Sequence, residues 1–165
     1  MPKIDIDKAP VTTASIYPEP YAAQMAGRSS RGLGQAAGLT QFGVNIVTLA
    51  PGAVASLRHW HLNEDEFAMV LTGDLILIED QGEIPMRPGD CAAWRAGVAN
   101  GHRFVNRSDA PASFLVVGSK AASETVTYAD VDMILRIDGD GIEMTYHDGS
   151  DWSGPRDLAP KGDRK

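Results

Sequence analysis

From residue 41 to residue 118 the chain is cut every few residues by a turn signal, and no uncut stretch has the eleven-residue helical period of a βαβ fold. The runs are 42–49, 54–61, 66–72, 75–79, 91–94, 102–106 and 113–118, rich in Val, Ile, Leu, Thr and Phe. Between them stand Pro51-Gly52, Gly73-Asp74, Asp80-Gln81-Gly82, Pro88-Gly89-Asp90 and Asn106-Arg107-Ser108-Asp109. Many short strands at this spacing predict an all-β antiparallel sandwich or barrel.

The flanks read differently. Residues 1–40 carry Pro2, Pro10, Pro18 and Pro20, then Gly27, Gly32, Gly34 and Gly38. Helix there is limited to a short piece at 21–26, and the stretch is expected to be an irregular N-terminal arm wrapped on the domain or on a neighbouring subunit. Residues 41–120 are expected to form the barrel. Residues 121–165 add strands at 126–128, 133–137 and 142–146, turned at Gly139-Asp140-Gly141, within the same domain. After His147 comes a polar tail expected to fray.

A chain of 165 residues buries roughly 70% of its unfolded surface on folding, so it needs neither disulfide nor metal to hold together. Any metal site is therefore expected to be functional. The net charge of −7 argues against nucleic acid and anionic membrane surfaces as partners. No apolar run is long enough for a membrane span, and the start of the chain has no signal-peptide pattern. The single cysteine, Cys91, cannot form an internal disulfide, and a cytoplasmic location is expected.

Two of the four histidines form His59-Trp60-His61 on an expected strand. Side chains at i and i+2 share a strand face, roughly 7 Å apart at the backbone, so the two imidazoles can converge on one ion while Trp60 points away. A hairpin after His61 would fold Glu66 back beside them. Asp65 lies on the opposite face from Glu66; it replaces Glu66 only if the register slips by one, and Glu64 shares Glu66's parity but falls in the turn. His102 stands in a later strand, and His147 in an expected surface turn. Trp60, directed outward, is expected to be covered by the arm or a second chain.

These residues resemble the two sequence motifs of the cupin superfamily. The first is Gly52, His59-Trp60-His61, Glu66 and Gly73; the second is Pro88-Gly89-Asp90, Gly97, His102 and Asn106. Three features depart from the pattern. Six residues separate Gly52 from His59, Arg95 stands where proline is usual, and four residues separate Gly97 from His102. The resemblance implies a double-stranded β-helix, or jelly roll, and a metal held by His59, His61, Glu66 and His102. Such a ligand set suits one divalent transition metal: Zn, Mn, Fe, Ni or Co.

In size and motif layout the chain also resembles small cupins of the sugar-phosphate isomerase type. That implies a Lewis-acidic metal acting on a small oxygenated molecule. An Fe(II)-dependent dioxygenase and a non-catalytic module for binding or sensing a small ligand are the alternatives, and no catalytic residue is assigned. Phosphate recognition requires an arginine facing the pocket. Arg58 and Arg103 neighbour implied ligands and alternate away from them, leaving Arg95 as the candidate. Edge strands and Trp60 lead to the expectation of a homodimer.

Overall fold

The computed structural model describes residues 3–139 and 141–156. Its strands are β1 (Val11–Thr12), β2 (Arg28–Gly32), β3 (Phe42–Leu49), β4 (His59–His61), β5 (Glu66–Thr72), β6 (Leu75–Glu79), β7 (Gly82–Met86), β8 (Cys91–Trp94), β9 (Arg103–Val105), β10 (Ala112–Ser119), β11 (Ser123–Tyr128), β12 (Ile134–Asp138) and β13 (Gly141–Thr145). The only α-helix among the described residues is α1, Leu33–Ala36. No described helix is long and apolar enough to cross a membrane. The chain is all-β, a jelly roll of the double-stranded β-helix kind.

Antiparallel pairing builds three sheets: β1-β2-β3-β10-β5-β8, β13-β12-β11-β4 and β7-β6-β9. A first core joins the six-stranded sheet to the three-stranded one through Val47, Leu49, Ala68, Val70, Leu75, Leu77, Phe104 and Phe114. A second lies on the four-stranded sheet, where Val126, Tyr128 and Leu135 meet Tyr21 and Met25 of the N-terminal segment.

Four expected runs match β3, β5, β6 and β8 residue for residue. The run at 54–61 is regular strand only at its end, with Val54 making an isolated bridge to Val105. Strand β7 gave no signal because Pro85 interrupts it; an edge position, paired only with β6, tolerates that proline. In the N-terminal stretch, the expected helical piece is the 3-10 turn Ala22–Met25. Arg28–Gly32 is a true strand, laid beside β3.

In two strands some apolar side chains turn away from the core: Val44 and Ile46 of β3, and Phe67, Met69 and Leu71 of β5. The buried residues are instead Val47 and Leu49, and Ala68 and Val70, while Phe67 is 39% exposed. Glu66 explains the second case: with its side chain inward, the period of two turns Ala68 and Val70 inward and Phe67 outward.

Two motif residues serve the backbone. Asn106 is fully buried. Its amide nitrogen donates to the carbonyls of Leu49 and Ala110, and its amide oxygen accepts from the backbone and hydroxyl of Ser108. Emptying such a position would leave several buried groups unpaired, at about 1–3 kcal/mol each. Gly73 has φ +70°, and a Cβ there would lie 2.7 Å from that of Ala112, so only glycine fits this turn.

The polar stretch after β13 is tied down as far as it is described. Arg156 pairs with Asp132 and Asp148 and lies over the ring of Tyr146, whose hydroxyl donates to the carbonyl of Gly154. His147 belongs to this clamp: its backbone N–H donates to Asp132 at 2.8 Å, and its Nε2 lies 3.2 Å from the carbonyl of Met133. The rest of the expected fraying tail, 157–165, and Asp140 of the expected turn lie outside the described residues.

Candidate metal centre

Strand β4 is short, and its alternation decides the site. Trp60 sits between the histidines, half-buried and paired with Thr127, while His59 and His61 project to the other side. The expected hairpin between β4 and β5 is not formed. Strand β4 pairs with β11 and β5 with β10 and β8, so the connection at 62–65 carries the chain from one sheet to another. Glu66 reaches the histidines across a corner between sheets. The acidic side chain of Glu124, 3% exposed, holds that corner by accepting from the N–H groups of Leu62, Asn63 and Thr125.

His102 enters from a third direction. It bridges His59 through two backbone hydrogen bonds, just before β9. The loop after Gly97 leads directly into it. Gly101 lets that loop press against the end of β11, where a Cβ would lie 2.6 Å from that of Ala129. The His102 ring stacks on Trp94 at 3.8 Å with planes 9° apart, and Trp94 is itself fixed by an indole N–H donated to Glu79 at 2.6 Å.

Strands β4 and β5, from two different sheets, thus bring His59, His61 and Glu66 to one point, with His102 beside them. Donor atoms of His59, His61 and Glu66 all lie within 4.8 Å of one another. Glu66 Oε2 is 3.3 Å from Nε2 of His61 and 3.3 Å from Nε2 of His102. His102 therefore touches the carboxylate while standing outside the tightest group. Asp65 faces away and accepts from the backbone of Ala96. Glu64 and Glu124 form a second group with His61, but Glu64 accepts from Ala121 and Glu124 is committed to the corner.

The electrostatics favour a neutral His59 beside an ionised Glu66. Burial, helped by the neighbouring histidines, lowers the His59 pKa to about 4. Burial alone would push Glu66 up, but hydrogen bonds from His102 and His61 outweigh it and hold the carboxyl well below its usual range. Burial likewise pulls His61 down, yet the Glu66 hydrogen bond and charge, with Glu124 and Glu64 behind them, leave it above its ordinary value. His59 Nδ1 donates to the carbonyl of Leu57 at 2.8 Å, which leaves its Nε2 with a free lone pair. This is the tautomer that a metal-binding imidazole needs. The buried Nδ1 of His61 has no partner. Two imidazoles and a carboxylate this close, with His102 behind, fit a divalent ion of borderline softness.

A cavity of about 490 Å³ opens onto His59, His61 and Glu66. Val47, Phe114 and Val116 form apolar wall, and the N-terminal segment supplies Thr12, Ser15, Ile16 and Tyr17. The Tyr17 ring packs edge-on against Tyr128 at 5.6 Å, and Tyr128 in turn lies 5.9 Å from His59. Arg95 is exposed and does not line this cavity; Arg28 does. The sequence held no signal for Tyr17, Arg28 or Glu124, because each depends on long-range pairing. Arg58 is turned outward as its alternation predicts, pairing with Asp80 and Asp130.

The Cupin domain family pattern matches residues 45–118. The structure is similar to a sugar phosphate isomerase from a cupin superfamily of Silicibacter pomeroyi DSS-3, at 55% identity and TM-score 0.90, over 92% of this chain and 97% of that one. It is also similar to a protein assigned as a sugar phosphate isomerase from Acidithiobacillus ferrooxidans ATCC 23270, at 25% identity and TM-score 0.69, over 72% and 76%. The polyketide cyclase RemF from Streptomyces resistomycificus shares the fold at 24% identity and TM-score 0.57, over 72% and 79%. No curated protein sequence matches.

The tie between Glu66 and His61 has a measurable consequence. In metal-free protein Glu66→Gln removes the main influence that raises His61, leaving burial to act against fewer opposing charges. The His61 pKa should fall, read by NMR titration of its ring protons. An unchanged pKa would mean that Glu66 does not set the charge of His61.

Proposed function

The chain belongs to the cupin superfamily, and from that premise we propose that it is a metal-dependent isomerase of a small polyhydroxylated carbonyl compound, of the sugar-phosphate class. The observation that carries the reading is the convergence of His59, His61 and Glu66 within 4.8 Å in the lining of a cavity large enough for such a molecule. The likeness to two proteins described as sugar phosphate isomerases supports the choice of reaction.

His59, His61 and Glu66 would hold one divalent transition ion, with His102 as fourth ligand. A cation bound there supplies Lewis acidity toward a carbonyl oxygen and its neighbouring hydroxyl. The chain's own groups do the rest of the positioning. His59 stays neutral at pH 7 and so offers its lone pair. Burial raises Tyr17 above its ordinary pKa, so its hydroxyl stays protonated at the cavity wall and can donate to a substrate oxygen. Val47, Phe114 and Val116 limit water beside the reacting carbons.

The proposal includes a homodimer in a reducing cytoplasm, the compartment that suits the exposed thiol of Cys91. The face of the six-stranded sheet turned away from the core carries Val44, Ile46, Met69, Leu71 and Phe67, an apolar surface that a second copy would cover. Light scattering should give twice the 17.6 kDa chain mass. A monomer at micromolar concentration would end this part of the reading.

Protein purified without added metal or histidine tag should contain one divalent transition ion per chain, and His59→Ala with His61→Ala should reduce it to about a tenth or less. The native protein should interconvert an aldose phosphate and its ketose without consuming oxygen, and a chelator should abolish turnover reversibly. Oxygen uptake with a catechol, thiol or diketone would point instead to a dioxygenase. Tight binding of a small molecule with no turnover would point to a binding module.

A further inference from the structure

Strand β2 lies in the stretch that sequence assigns to an irregular arm, yet it lines the cavity. Its register sets Arg28 opposite Leu49, Ser30 opposite Val47 and Gly32 opposite Asn45. Leu49 and Val47 are core residues, so Arg28 and Ser30 share the inward face. Arg31, one residue on, takes the other face, and its guanidinium donates to the carbonyls of Ile6 and Asp7. Arg28 and Ser30 both line the cavity that His59, His61 and Glu66 also line.

Arg28 differs from the other well-anchored arginines. Arg58, Arg107 and Arg156 each pair with a carboxylate. Among the described residues Arg28 pairs with none, and its buried Nε has no hydrogen-bond partner. Burial lowers its pKa, with only the Tyr17 hydroxyl opposing. A half-buried guanidinium facing a cavity without a counter-ion is costly unless a ligand supplies one. Its planar fork matches the geometry of phosphate oxygens.

We infer that Arg28 is the phosphate anchor of this cavity, gripping the phosphate monoester of a substrate whose carbonyl end faces the histidine cluster. The inference rests on the isomerase reading for the identity of the carbonyl end, but the anchor is testable without turnover. Ser30 adds a hydroxyl beside the guanidinium. A cavity lined by both this guanidinium and the histidine cluster thus selects a molecule carrying both a phosphate and a carbonyl.

The test is an NMR titration of the metal-free full-length protein with inorganic phosphate, followed through the arginine Nε–H signals. The Arg28 signal, identified by its loss in Arg28→Lys, should shift saturably with phosphate and not with acetate at equal concentration. Arg28→Met should weaken phosphate binding at least tenfold, Arg28→Lys should weaken it less, and both should keep the wild-type metal content. Equal shifts with acetate would overturn phosphate as the ligand class. No shift, or equal phosphate affinity in Arg28→Met, would overturn the anchor itself. Should Arg28→Met fail to fold, the wild-type titration and Arg28→Lys still decide. Phosphate binding without any isomerisation would sink the isomerase reading alone and leave the anchor standing.

Discussion

Glu66 is an ionised carboxylate kept inside a β-enclosure, and imidazoles from two other strands keep it ionised. Without His61 and His102 at 3.3 Å, burial would push the carboxyl pKa up against less opposition. Without Glu66, His61 would lose the charge that holds its pKa up. The pair of dependencies makes the cluster a single electrostatic unit. It also makes the unit costly to keep in a protein with core enough to fold without it, which is the physical reason to read it as functional.

Much of the surrounding structure acts on the aim of these few atoms. Glu124 ties the corner between β4 and β5, so Glu66 arrives beside strands with which it is not paired. Trp94, anchored on Glu79, fixes the plane of His102. Asn106 pins the end of β9 to β3 through the carbonyl of Leu49. Gly101 and Gly73 permit backbone approaches closer than any side chain allows. None of these groups touches the cavity, yet each narrows the positions that the donors can take.

The local pattern was legible where strand formation depends on local composition. Strands β3, β5, β6 and β8 can be bounded from apolar runs and turn residues alone, and the inward turn of His59 and His61 follows from their spacing. Facing was less legible, because Phe67, Met69 and Leu71 look more like core than Ala68 and Val70 do. The charged residue Glu66 decides the matter, and its inward position outweighs the larger apolar side chains. Least legible were contributions made by pairing at a distance. The sequence Arg28–Gly32 has no apolar alternation, so its place beside β3, and with it Arg28 at the cavity, emerges only when the sheet is assembled. The same holds for β4, which finds its partner in β11 and not in its neighbour along the chain.

The account stands on one cation shared by side chains from separate sheets. Anomalous diffraction at the absorption edge of the bound metal tests it directly. A single peak should lie about 2.0–2.2 Å from a nitrogen of His59, a nitrogen of His61 and a carboxylate oxygen of Glu66. A peak held instead by His61, Glu64 and Glu124, or no peak in metal-saturated crystals, would contradict it.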